Sequence, residues 1–171
     1  MGDVIGYGLE YKELIYGTIK ACPQHTFLFL TKNPEKLPAW SPFPDNCWVG
    51  ITVTNPEMYR EARKILPQIL ASLIYLSIEP FLEYIPMSAM GLNKANISWL
   101  IIGAQTKPYK PPKIEWVQEI VEAADKAGCP VFLKDNLSPL LCENCTYTKD
   151  KWALSKDKLF KGELWRQEMP K

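Results

Sequence analysis

IYLSIEPFLEYI, residues 74–85, begins as a strand that a protein core would bury, and then meets an acid and a proline together at Glu79 and Pro80. Residues two apart in a strand share a face, and one face of this strand is aliphatic: Ile74, Leu76 and Ile78. The other face becomes polar toward the carboxyl end: Tyr75, Ser77 and Glu79. The stretch therefore predicts a buried strand that delivers a carboxylate to its carboxyl end, where Pro80 turns the chain away.

Four other segments resemble this strand, and helical patterns separate them. The five predicted strands are residues 26–32, 47–55, 73–79, 97–105 and 130–135. A helical stripe begins at Tyr11, a second helix opens at Pro56, and a third covers residues 114–128 and stops at Gly128. The stripe predicted to be buried in the first helix is Tyr11, Leu14, Ile15, Ile19 and Cys22. Apolar strands alternating with helices are typical of a parallel sheet covered by helices.

The two faces of the predicted sheet differ in polarity, and this difference helps to distinguish a barrel from an open sheet. An open sheet with helices on both faces requires apolar side chains on both. Here one face is aliphatic and the other becomes small or polar toward the carboxyl end. We therefore predict an α/β fold: a partial or truncated TIM-like (β/α) barrel of about five parallel strands covered by helices. The length of 171 residues suits one domain over residues 1–171.

Composition excludes several classes of protein. The formal net charge is +1, so no global field attracts nucleic acid or membranes. No apolar run approaches the roughly 18 residues of a membrane span, and the amino terminus lacks the pattern of a signal peptide. The five cysteines are odd in number and irregular in spacing, which does not indicate a disulfide framework. These features predict a cytoplasmic protein without a membrane partner.

Polar residues gather at the predicted carboxyl ends of the strands, where parallel barrels place their sites. The candidate ligand-binding residues are Thr31, Lys32, Thr52, Thr54, Glu79, Gly103, Gln105, Lys134 and Asp135. If their strands are neighbours, Glu79 and Lys134 meet as a carboxylate–ammonium pair across the mouth. The alternative is a structural ion pair, or strand ends that are polar because they reach water. Convergence from five strands favours a ligand site over these alternatives.

Cys142 and Cys145 form a single CxxC in LCENCTYTKDKW, and this pair is the candidate metal site. Structural zinc takes four ligands, usually from two such pairs or from one pair and two histidines. The other cysteines and the single histidine, His25, are distant in sequence. Two loop thiols without metal, a zinc ion shared between two copies and a redox pair remain as alternatives.

Two further features have a plain structural interpretation. His25 precedes a strand, so it is expected at the end opposite the site, and a structural role is favoured. KDKWALSKDKLFK, residues 149–161, combines lysines with two aromatic residues, as proteins that bind single-stranded nucleic acid do. Its two aspartates dilute the charge, so a solvated helix or loop is favoured over a nucleic-acid site.

Six motifs, taken in order, resemble a phage-associated family of unknown function. They are TFLFLTKNPEKL, CWVGITVTNPE, LSIEPFL, ISWLIIGAQT, GCPVFLKDNL and WRQEMPK. That family is similar to radical S-adenosylmethionine (radical SAM) enzymes and has been likened to the spore photoproduct lyases. The resemblance covers almost the whole chain except residues 141–164, which are interpreted as a variable insertion.

The resemblance implies S-adenosylmethionine and an iron–sulfur cluster held by a CxxxCxxC motif, which this sequence lacks. The chain therefore resembles the later part of a barrel without its cluster-bearing front. A fragment, a misplaced gene start, a split gene and a degenerate relative all fit this departure. A barrel without its first strands exposes an edge. We expect a second copy, a companion chain or a rearranged terminus to cover that edge.

Two functions of different class follow from these observations. In the first, the chain is the ligand- or substrate-binding part of a radical SAM-like enzyme, with a reaction that the sequence does not identify. The substrate class stays open between a small molecule and a nucleic-acid-derived compound. In the second, the chain is a non-catalytic barrel remnant that acts as a binding or assembly module.

Overall fold

The computed structural model describes residues 3–140, 160–161 and 164–170 of the chain. The strands are β1 (Phe27–Thr31), β2 (Cys47–Thr52), β3 (Leu73–Ile78), β4 (Trp99–Ile102), β5 (Gln105–Thr106), β6 (Tyr109–Lys110), β7 (Val131–Leu133), β8 (Phe160–Lys161) and β9 (Leu164–Trp165). Five of them form one parallel sheet in the order β1-β2-β3-β4-β7, while β5 pairs with β6 and β8 with β9 in antiparallel hairpins. The fold is thus α/β with five parallel strands, as the sequence predicts.

Helices connect the parallel strands. They are α1 (Val4–Tyr7), α2 (Lys12–Ala21), α3 (Leu37–Trp40), α4 (Pro56–Ile65), α5 (Ala89–Lys94) and α6 (Ile114–Ala127). The Asn55 side chain accepts a hydrogen bond from the Met58 amide at the start of α4, and Gly128 ends α6 with a φ of 68°. No helix in the described part of the chain is long and apolar enough to span a membrane.

One face of the sheet, which we call the helix-side face, carries the main core. It consists of the aliphatic residues of alternate strand positions, among them Val49, Ile51, Leu76, Leu100 and Leu133. These side chains pack in one cluster with helix residues such as Ala62, Ile120 and Ala124, all fully or almost fully buried. This arrangement confirms the predicted aliphatic face, because each strand buries that face against helices.

The opposite face, which we call the aromatic face, carries a second cluster built from strand residues: Trp48, Leu73, Tyr75, Trp99, Ile101 and Phe132. The Trp99 ring lies at the centre, 5.8 Å from the ring of Trp48, 5.6 Å from that of Tyr75 and 6.2 Å from that of Phe132. Toward the carboxyl end this face becomes polar at Thr52 and Ser77, which are in register. The sequence predicts the polar end but not the aromatic cluster.

Gly50 makes room for a tyrosine that crosses the sheet. Tyr75 is in register with Gly50, and its phenol reaches over β2 to donate a hydrogen bond of 3.0 Å to the Phe29 carbonyl on β1. A Cβ atom on Gly50 would overlap the Tyr75 ring. Burial raises the pKa of Tyr75 to about 12, so the phenol keeps the proton that it donates. A glycine inside a strand thus marks a close approach by another group.

The two edges of the sheet differ. Along β7, residues 166–168 run antiparallel: the Leu133 amide donates to the Arg166 carbonyl, and the Glu168 amide donates to the Val131 carbonyl. Along β1, register directs the main-chain groups of Leu28 and Leu30 away from β2, and these groups form no hydrogen bond with another described residue. The side chains of Leu28 and Leu30 are 52% and 44% exposed.

Two sequence-based boundaries are corrected. The strand predicted over residues 97–105 ends at Ile102, because Ala104 pairs with the side chain of Asn136 rather than with another strand. The stripe predicted for the first helix is wrong at Tyr11 and Leu14, which are exposed. Tyr11 ends a short 3-10 segment, so α2 begins at Lys12, and Ile19 of the predicted stripe is buried. The buried side chains of α2 are Tyr16 and Ile19.

Candidate functional site

Glu79 and Lys134 meet at the carboxyl end of the sheet, a region that we call the mouth. Lys134 Nζ donates to Glu79 Oε2 at 2.7 Å, and both side chains are partly exposed. Their strands, β3 and β7, are separated by β4, so the pair crosses over the end of β4. The sequence predicts that Glu79 and Lys134 form an ion pair if their strands are neighbours. In the structure they form the ion pair although β4 lies between their strands.

Gly103 permits that crossing. It follows β4 directly, and a Cβ atom at this position would lie 2.7 Å from Glu79 Oε1 and 3.0 Å from Lys134 Cδ. Both distances are shorter than ordinary van der Waals contact, so any larger residue would push the acid and the base apart. Of the predicted site residues, Glu79, Gly103 and Lys134 therefore form one compact unit.

Asn136 completes this unit, and the sequence reasoning missed it. Its Nδ2 donates to Glu79 Oε1 and to the Ala104 carbonyl, both at 3.0 Å, while its Oδ1 accepts from the Ala104 amide at 3.0 Å. The side-chain amide thus continues the ladder between β4 and β7 and fixes the Glu79 carboxylate at the same time. Its position two residues after Lys134, in the sequence KDN, was the only available signal.

Two hydroxyl groups border the mouth on the aromatic face. Thr52 and Ser77 are in register on β2 and β3, and they are only 4% and 6% exposed. Neither side chain forms a hydrogen bond with another described residue. Among the described residues, the fully buried polar side-chain atoms without a partner are Tyr59 Oη and Arg166 Nε, so neither hydroxyl is a buried unsatisfied group. Ser77 was not among the predicted site residues.

The remaining predicted residues form other contacts. Thr31 Oγ1 and the Lys32 amide donate to the Asp3 carboxylate, which places them at the junction of α1 with β1. Thr54 Oγ1 lies 3.3 Å from the Met58 sulfur, and Gln105 Nε2 donates to the Pro108 carbonyl. Asp135 Oδ1 accepts from Gln167 Nε2, which attaches the carboxyl-terminal segment. These five residues have structural contacts outside the unit formed by Glu79, Gly103 and Lys134.

Asp3 is the acceptor of a second polar cluster. Burial acts to raise the pKa of Asp3, but hydrogen bonds from the Thr31 hydroxyl, the Lys32 amide, the Asn33 side chain and the Gly6 amide outweigh it and lower the pKa below its ordinary value of 3.8. The fold therefore favours the ionised form. Its contribution to stability is present above pH 3.8 and is lost as pH falls through the lower pKa of the folded state.

Asp3→Asn is expected to lower the free energy of unfolding by about 1 kcal/mol at pH 6, because an amide accepts fewer hydrogen bonds than a carboxylate. The difference from the unmodified protein should shrink as pH falls below 3.8, since protonation removes the same carboxylate. Urea unfolding between pH 3 and pH 7 measures it, with exposed Glu35→Gln as the control. A difference that stays constant across this range would show that ionisation of Asp3 is not the cause.

The described residues do not supply a metal or iron–sulfur centre. They contain no group of three or more His, Cys, Asp or Glu side chains that could hold a metal ion. Cys22, Cys47 and Cys129 are separate free thiols. Burial raises the pKa of Cys47 to about 11 and, with help from Glu168, that of Cys129 to about 12, so both remain protonated thiols. Cys142 and Cys145 lie outside the described residues.

The other end of the sheet also carries cavities. A cavity of about 500 Å³ lies at the amino-terminal ends of β3 and β4 and is lined by Asp45, and a cavity of about 600 Å³ at the start of β7 is lined by Asp125 and Arg166. His25 is exposed at the same end, with its ring edge-on to Phe27. Charged groups thus lie at both ends of the sheet, and the mouth is distinguished by an acid–base pair that spans several strands.

A family described as protein of unknown function (DUF5131) matches residues 6–170. No curated protein and no solved structure matches the chain. The description of the family includes neither a phage association nor radical SAM chemistry, so both remain expectations from sequence resemblance. Because the match spans nearly the entire sequence, the chain belongs to the family of proteins of unknown function DUF5131.

Proposed function

We propose that the chain is a ligand-binding α/β domain of the partial-barrel type, with its site at the mouth. One observation carries the proposal: the Glu79–Lys134 pair of 2.7 Å is assembled over Gly103, at the end of the sheet where Thr52 and Ser77 are in register. Four parallel strands contribute these groups. Convergence of polar groups from several strands at their carboxyl ends is the usual place for a site in parallel α/β proteins.

The order of the strands supports the partial-barrel architecture. The five parallel strands are neighbours in the order of the sequence, without the reversal that creates the crevice of a doubly wound sheet. Right-handed crossovers that always advance in one direction place all connecting helices on one face. The separate aliphatic and aromatic clusters agree with this arrangement. The aromatic face then corresponds to the interior of the barrel.

The chemistry of the mouth suits a small ligand with both charges. Lys134 has three N–H donors and uses one on Glu79, so it retains donors for a carboxylate or phosphate. Glu79 offers a fixed carboxylate for an ammonium group, and Thr52 and Ser77 offer hydroxyls. An α-amino-acid group carries the matching pair of charges. S-adenosylmethionine contains such a group, and the resemblance to radical SAM enzymes makes it the first ligand to test.

The iron–sulfur chemistry of that resemblance does not fit the described residues. An iron–sulfur cluster requires several thiolates together, whereas the described cysteines form no metal-binding group and burial raises the pKa of both Cys47 and Cys129. We therefore propose binding without a reaction step. In this proposal any cluster would belong to another polypeptide or to residues outside those described.

Isothermal titration with S-adenosylmethionine tests the site. Glu79→Gln and Lys134→Gln are each expected to weaken binding by at least about tenfold, the equivalent of about 1.4 kcal/mol, with little loss of stability. Glu57→Gln is the control, because its pair with Arg60 is exposed and lies elsewhere. A large loss of stability without any change in affinity would support a structural ion pair instead. Absence of binding by the unmodified protein at millimolar ligand would reject the proposed ligand class.

A second candidate function is an assembly module, favoured by the unpaired edge at β1. Unpaired main-chain groups beside half-exposed leucines form a template for an additional strand from a second copy or a companion chain. Sedimentation velocity distinguishes the possibilities for the pure protein. A dimer that Leu30→Lys dissociates, and that Leu70→Lys does not, would support pairing between copies at this edge.

A further inference from the structure

The segment between β4 and α6 concentrates positive charge. Residues 103–113 contain three lysines and no acidic residue, although the whole chain has a net charge of only +1. Lys107, Lys110 and Lys113 are all exposed. None of the three forms an ion pair with another described residue. The positive charge is thus local and available to a ligand in solution.

The segment is also held in a defined shape. Strands β5 and β6 form a short antiparallel hairpin, and Gln105 Nε2 donates to the Pro108 carbonyl at 2.9 Å across its turn. Tyr109 donates its O–H to the Asn136 carbonyl at 3.1 Å, which attaches the hairpin to the rim of the mouth. Pro112 is buried after the hairpin. The lysines therefore project from a preorganised ribbon, which lowers the entropic cost of binding.

Aromatic rings accompany the lysines. The Tyr109 side chain is 43% exposed even though its hydroxyl is bonded to Asn136. Lys113 Nζ lies 5.3 Å from the centre of the Trp116 ring, which itself contacts the exposed ring of Tyr84. Two acidic residues of α6, Glu115 and Glu119, line a cavity with Lys113, and Glu119 accepts from the Tyr84 hydroxyl. A cationic ribbon beside an exposed ring is the combination that binds single-stranded nucleic acid through charge and stacking.

We propose that residues 105–113, which we call the lysine hairpin, bind single-stranded nucleic acid. Its phosphates contact Lys107, Lys110 and Lys113, and one base stacks on the ring of Tyr109. This surface is distinct from the pair of Glu79 and Lys134, so it can function whether or not the mouth binds a small ligand. Local charge, exposure and ring geometry favour this binding, although the net charge of the whole chain is only +1.

Fluorescence anisotropy with a labelled single-stranded oligothymidylate tests the proposal. Three phosphate contacts predict that the logarithm of the affinity falls against the logarithm of the salt concentration with a slope of about −2. The triple variant Lys107→Gln, Lys110→Gln, Lys113→Gln should remove most of this slope and of the binding. A second triple variant, Lys20→Gln, Lys64→Gln, Lys94→Gln, has the same change in net charge on other exposed surfaces and should bind as the unmodified protein does.

Variants of Tyr109 separate stacking from simple charge attraction. Tyr109→Leu should weaken binding about tenfold without changing the salt slope, whereas Tyr109→Phe keeps the ring and should bind normally. Equal losses in both lysine triples would overturn the proposal, since net charge alone would then explain binding. Inorganic polyphosphate competing as well as the oligonucleotide, with no effect of Tyr109→Leu, would likewise overturn it. So would the absence of binding at low salt.

Discussion

Gly50→Ala is expected to lower the free energy of unfolding by about 2–4 kcal/mol, although it adds a single methyl group. The new Cβ atom would overlap the Tyr75 ring, and this ring has no free direction because it is buried beneath the Trp99 ring. Displacing the ring breaks the hydrogen bond from its hydroxyl to the Phe29 carbonyl. Equilibrium unfolding in urea measures the loss, and the slope of that transition should stay unchanged.

Two variants make this prediction specific. Gly17→Ala is the matched control, because a Cβ atom at this exposed position in α2 meets nothing within 4 Å. It should stabilise the protein by about 0.5–1 kcal/mol through helix propensity. In a Tyr75→Leu background the cost of Gly50→Ala should fall below about 1 kcal/mol, since the clashing ring is absent. An equal cost in both backgrounds would show that the ring is not the source of the effect.

Arg166→Met is expected to destabilise the protein by about 2–3 kcal/mol. Arg166 is 7% exposed and donates to both oxygens of Asp125, at 3.0 and 2.8 Å, and to Glu168 Oε2 at 2.9 Å. Removing the guanidinium takes one charged hydrogen bond from the partly buried Glu168 carboxylate and two from Asp125. Breaking a fully buried ion pair typically costs about 3–5 kcal/mol. The expected destabilisation is smaller here, because the side chain of Asp125 is largely exposed.

Hydrogen exchange locates the effect of Arg166→Met. The amide of Leu133 donates to the Arg166 carbonyl, so its exchange should accelerate more than that of amides in β2. Arg60→Met removes an exposed arginine whose contact with Glu57 is 3.9 Å, and it should change stability by less than about 0.5 kcal/mol. Equal exchange rates at Leu133 in both variants would contradict the assigned role of Arg166.

The sequence predicts the strands well because each is a short apolar run, and burial on both faces accounts for this in β2 and β3. The alternation within residues 74–79 correctly assigns Leu76 to the helix-side face and Ser77 to the aromatic face. The pairing of Glu79 with Lys134 is also correct, although its geometry is not, since β4 lies between the two strands. The order of the strands in the sequence does not reveal that the side chains of Glu79 and Lys134 meet over Gly103, at the end of β4.

The parts that escaped prediction depend on contacts between side chains and distant main-chain groups. Asn136 pairs with Ala104, 32 residues away, and Asp3 pairs with Thr31, 28 residues away. Neither contact produces a periodic pattern in the sequence. Gly50 signals a close approach, but only the register of β2 with β3 identifies Tyr75 as the approaching residue. Local propensity therefore predicts elements better than it predicts these long-range polar contacts.

The two edge strands, β1 and β7, differ in whether their outer main-chain groups are already paired, and this difference determines where a further parallel strand can be added. Residues 166–168 already occupy the main-chain groups of β7, and they run against the direction of the five strands. Among the described strands, β1 is then the one whose edge can accept an incoming strand that continues the parallel series, beside Leu28 and Leu30. A fusion designed to enlarge this protein into a closed cylinder should accordingly attach its additional β/α units ahead of residue 3, and the same units fused after residue 170 should remain undocked.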